Sequence, residues 1–122
     1  MSTKLLRADG QLPVIGDDID VPVSVSSVPG GVSITKAWLT FKPSSNRSAA
    51  DDSVLQKILT SGFTGTTTVS FTFPLSKTDT AVFTPGTKYV FDVQVLDSSG
   101  KLSTPIVDGE AKFQVGVTSA VS

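Results

Sequence analysis

Apolar and polar residues alternate along most of this chain, and turn-forming residues break the alternation roughly every eight to twelve positions. A strand points successive side chains to opposite faces, so a period of two means one buried face and one wet face. Ile19, Val21, Val23 and Val25 alternate with Asp20, Pro22, Ser24 and Ser26. Pro22 has no N–H to give to a ladder, so this strand is read as an edge or as having that side free. Val28-Pro29-Gly30-Gly31 then turns the chain. Residues 33–42 form a second strand, with Ala37, Leu39 and Phe41 on one face and Trp38, Thr40 and Lys42 on the other. Residues 43–53 are polar and read as a loop. In residues 54–60, Val54, Leu55, Ile58 and Leu59 suit a short helical turn and a strand equally well. Residues 66–73 alternate again through Val69, Phe71 and Phe73, with Pro74 expected to end the strand.

The most specific stretch begins at Phe83-Thr84-Pro85-Gly86 and continues into Tyr89, Phe91, Val93 and Val95 on one face. An apolar residue, a Pro-Gly turn and a tyrosine opening a core strand form the tyrosine-corner pattern of Greek-key sandwiches, so Pro85, Gly86 and Tyr89 are read as structural. Asp97-Ser98-Ser99-Gly100 is a hairpin turn. Residues 102–107 return as a strand interrupted by Pro105, Asp108-Gly109 is expected to turn once more, and Ala111, Phe113, Val115 and Val117 form a last strand. The sum is about seven strands. The expected fold is therefore all-β: an Ig-like or fibronectin-III-like antiparallel β-sandwich over residues 19–118. An extended N-terminal arm (residues 1–18) precedes it and a short tail (119–122) follows.

Composition removes most chemistry. The 122 residues include no cysteine and no histidine. Disulfide frameworks, thiolate nucleophiles, Ser-His-Asp groupings and His- or Cys-ligated metal sites are excluded. Any enzyme would have to run on aspartates, the single glutamate Glu110, lysines or Tyr89; the chain is read as no enzyme, with no cofactor and no metal. A net charge of −1 lacks the electrostatic footprint of a nucleic-acid binder. No apolar run fits a signal peptide or a membrane span, so neither nucleic acid nor membrane is expected as a partner.

The remaining candidates are few. Asp17, Asp18 and Asp20 could offer oxygens to Ca²⁺, but they lack the glycine and glutamate of an EF-hand loop and are read first as a solvated acidic hinge. Asp51 and Asp52 are read as a cap on any helical turn that follows them. Paired carboxylates of glycosidase type need a cleft that the sequence does not reveal. With charged residues at 17%, the sheets cannot both be covered by charge, and Trp38, Val90, Leu96 and Val32 fall on or near the second faces of strands. Trp38, Val90 and Leu96 are candidate protein contacts. In the arm, Leu5, Leu6, Leu12, Val14 and Ile15 are candidate partner-binding residues.

The segment from Ile34 to Thr118 resembles a domain of phage virion proteins, the Ig-like N-terminal domain of siphophage baseplate upper proteins and its small stand-alone relatives. Ile34-Thr35-Lys36-Ala37-Trp38-Leu39-Thr40-Phe41-Lys42, Asp79-Thr80, Phe83-Thr84-Pro85-Gly86, Tyr89-Val90-Phe91-Asp92-Val93-Gln94-Val95, Gly100, Gly109, Phe113-Gln114-Val115 and Val117-Thr118 carry the likeness. The resemblance implies a virion protein, made in a host cytoplasm. The long downstream region of baseplate upper proteins is missing, which favours a small, many-copy subunit. The expectation is a capsid decoration or cement protein on the outer head surface. Its partner would be the major capsid protein or another virion protein, and a homo-oligomer is possible. The alternatives are a tail, neck or baseplate accessory and, from another class, an Ig-like carbohydrate- or receptor-binding module.

Overall fold

The computed structural model describes residues 4–6, 10–43 and 54–115. Its strands are β1 (Ile19–Val25), β2 (Ile34–Pro43), β3 (Leu55–Leu59), β4 (Val69–Leu75), β5 (Lys88–Asp97) and β6 (Leu102–Lys112), with one short helix, α1 (Lys77–Thr80), between β4 and β5. They form two antiparallel sheets, β1-β4 and β3-β2-β5-β6. The sheets face each other across a single core, and this is the Ig-like sandwich that the alternation predicts. Asp51 and Asp52, Val117 and the tail lie outside the described residues.

The core is the sum of the inward faces. Val21 and Val23 of β1 and Val69, Phe71, Phe73 and Leu75 of β4 meet Ala37, Leu39, Phe41, Tyr89, Phe91, Val93 and Val95 from the other sheet. Phe83 stacks on Phe113 with ring centroids 4.1 Å apart and meets Phe41 and Tyr89 edge-on at 5.0 Å. Tyr89 closes this end of the core. Its ring is buried, and its hydroxyl accepts the Thr84 N–H at 2.7 Å, across the Pro85-Gly86 turn.

One open reading is settled and two segments differ from their sequence reading. Residues 54–60 contain a strand, because β2 offers its edge to Leu55–Leu59 in antiparallel register. β4 continues through Pro74 to Leu75; it lies in a two-stranded sheet, so a missing N–H costs no central ladder bond. Residues 102–112 are one strand and not two. Pro105 is carried within it, and the irregularities fall in its register with β5, between Phe91 and Val95. Gly109 does not turn the chain. It sits opposite Phe91, where a Cβ would come within 2.5 Å of the ring, so the absence of a side chain lets the phenyl lie against β6.

The arm belongs to the fold. Lys4 and Val14 make parallel bridges to Glu110 and Gln114, along the edge of the β6 segment that β5 leaves open. Leu5 N–H donates to the Glu110 carbonyl and Ile15 N–H to the Gln114 carbonyl, both at 2.9 Å. Gln114 returns a backbone bond to Pro13 O and a side-chain bond to Leu12 O. The arm then latches onto α1. The fully buried Thr80 hydroxyl donates to Asp17 O at 2.8 Å and accepts Gly16 N–H at 3.0 Å.

Candidate functional site

Two surface features collect the residues that the sequence singles out. The first is the outer face of the four-stranded sheet. Antiparallel pairing puts Trp38 beside Ile58 on β3 and Gln94 on β5, and puts Leu96 beside Lys36 on β2 and Leu102 on β6. Trp38, Val90 and Leu96 are all half-buried on this face. Ile58 and Leu102 are 50% and 53% exposed and lengthen the apolar surface at either side. Lys36 Nζ lies 5.1 Å from the centroid of the Trp38 ring, a cation–π contact. On the other side of Trp38 along β2 the face opens into a shallow groove of about 350 Å³. It is lined by Trp38, Thr40 and Lys42 from β2, Gln56 from β3, Asp92 and Gln94 from β5, and Thr104 from β6. Gln56 Nε2 donates to Thr40 Oγ1 at 3.0 Å, which fixes the amide over the floor of the groove.

The second feature is the corner where the arm crosses the edge of β6. Leu5, Leu6, Leu12 and Ala111 line a notch of about 160 Å³ whose rim carries Lys4, Lys88, Lys112 and Glu110. Strand pairing brings Lys88 opposite Lys112, and Lys88 Nζ also reaches Glu110 at 3.4 Å. The five arm residues divide here. Leu5 is a core residue, Ile15 packs against the core and Val14 bridges to Gln114. Leu12 is half-buried in the notch and Leu6, 45% exposed, is the arm's outward apolar group.

Four of the acidic residues, Asp17, Asp18, Asp79 and Asp97, make structural contacts, while Asp20 is exposed on β1. Asp18 Oδ1 accepts the Lys77 N–H at 2.8 Å at the start of α1, while Asp17 contributes its carbonyl to Thr80. Asp79 completes a capping box with Ser76. The Ser76 N–H holds its carboxyl below the ordinary value, helped by Lys57, whose Nζ is 3.0 Å away. Asp97 is lowered first by the Ser99 hydroxyl and then by the Lys101 N–H, as expected of a carboxylate clamping a hairpin. Among the described residues no three His, Cys, Asp or Glu side chains converge on a metal position, and no helix is long and apolar enough to cross a membrane.

Sequence reasoning missed Ile58, Leu102, Lys88 and Lys112. Ile58 needed the strand assignment of its segment, and the two lysines lie on different strands that only the β5–β6 register brings together. Comparison with known proteins finds no matching family model, no similar curated protein and no similar solved structure.

Proposed function

We propose that this chain is a non-enzymatic structural protein of a phage virion, a decoration subunit that docks on the outer head surface through the arm corner. The observation that carries the reading is the notch between the arm and β6. Exposed Leu6 and half-buried Leu12 present an apolar spot, and three lysines against one glutamate surround it in a chain of net charge −1. That charge pattern fits a protein surface bearing an apolar side chain flanked by carboxylates. A single notch of this size gives weak attachment. Repetition over a symmetric shell converts weak contacts into strong overall binding. The resemblance of residues 34–118 to phage Ig-like domains supports the same assignment.

The test is co-sedimentation of the purified chain with expanded empty capsids from its own source. Saturable binding at a fixed ratio to the capsid protein is expected, weakened about tenfold by Leu6→Asp. Absence of saturable binding would overturn the head assignment.

A further inference from the structure

We propose that the groove beside Trp38 is a binding site for a neutral saccharide. This inference rests on the groove alone and holds whether or not the chain docks on a head. The groove and the arm notch share no lining residue. Their nearest lining residues on β5, Lys88 and Asp92, are four residues apart, about 13 Å at the rise of a strand.

The chemistry of the lining selects the ligand. A pyranose ring has an apolar C–H face and a rim of hydroxyls. It therefore wants a flat apolar platform and a surround of groups that both donate and accept. Trp38 is the platform. Lys36 lies over the indole from one direction along β2, and the groove opens in the other, towards Thr40. The surround is made of amides and hydroxyls. Thr40 Oγ1 accepts from Gln56 Nε2, which holds a hydroxyl and an amide side by side in the groove. Gln94 is exposed directly across from Trp38 and offers a second amide. Lys42 and Asp92 bring one charge of each sign to the lining itself, and Lys36 stands outside it on the far side of the indole. These groups stand on three paired strands, so their spacing is set by sheet geometry and not by a loop. The volume of about 350 Å³ is at the small end of ligand clefts, which suits a mono- or disaccharide.

The chain's single tryptophan makes the site report on itself. The full chain would be titrated with lactose, maltose, cellobiose and N,N′-diacetylchitobiose while the indole emission is followed. The expected result is a saturable change with at least one of them, at a dissociation constant of about 1 mM, since the contact is shallow and open. Gln94→Ala keeps the tryptophan and the fold and is expected to weaken binding at least fivefold. Trp38→Ala, followed by isothermal titration, is expected to abolish it. No saturable change with any of the four sugars up to about 20 mM, or an equal response from wild type and Gln94→Ala, would overturn the proposal.

Discussion

Tyr89 shows how one side chain fixes a corner of the molecule. Its ring fills the end of the core beside Phe83 and Phe113, and its hydroxyl holds the turn through Thr84. Tyr89→Phe keeps the ring and removes that bond, so it is expected to cost about 1 kcal/mol, read as a lower urea midpoint. Gly109 works by absence: Gly109→Ala places a methyl on the Phe91 ring and is expected to cost roughly 2 kcal/mol through overpacking. Asp97 and Asp79 contribute to the acid response. Both carboxyls sit below their ordinary value of 3.8 in the folded chain, through hydrogen bonds that the unfolded chain lacks. Their stabilising contribution is therefore complete above the ordinary value and is lost as pH falls through the lowered folded value. The urea midpoint should fall below about pH 4, and Asp97→Asn should make that fall shallower.

At the scale of elements, the arm is the part whose behaviour follows least from its own sequence. Residues 10–18 show no period, yet they are held by β6 and α1 through backbone bonds and one buried hydroxyl. Thr80→Val removes that hydroxyl and leaves the Gly16 N–H and the Asp17 carbonyl unpaired. The change is expected to cost about 2 kcal/mol and to speed amide exchange at Gly16 well above that of the β5 amides. The alternating strands were legible because each buries one face: β1, β2 and β5 lie within a residue or two of where their patterns place them. β3 was ambiguous because five residues beside a helix-compatible pattern carry too little period. Pro74 was misread as a strand end and Gly109 as a turn because they usually are. Here an edge tolerates Pro74, Gly109 sits in register opposite Phe91, and Pro105, read as an interruption, falls at a register irregularity against β5. At the candidate site, Trp38 and Leu96 were visible as outward positions, whereas the groove and the lysine-rimmed notch arise from pairings between distant segments.

At the scale of the whole molecule, the two features lie apart on one sandwich and ask for different partners. The arm corner offers apolar surface with basic charge. The middle of the four-stranded sheet offers an aromatic with amides and hydroxyls. Lys88, Glu110 and Lys112 project from the same outer face as Trp38, at the arm end of the sheet, so the groove stays open only if the subunit meets the shell by that end, and the account stands on that orientation. Under the proposed virion role, its most direct test is a cryo-electron-microscopy reconstruction of phage heads from the chain's own source, saturated with the purified chain. The account predicts sandwich-shaped density outside the shell, with Leu6, Lys88 and Lys112 turned towards the capsid protein and Trp38 open to solvent. Heads bare of such density, or density with the Trp38 face pressed against the shell, would contradict it.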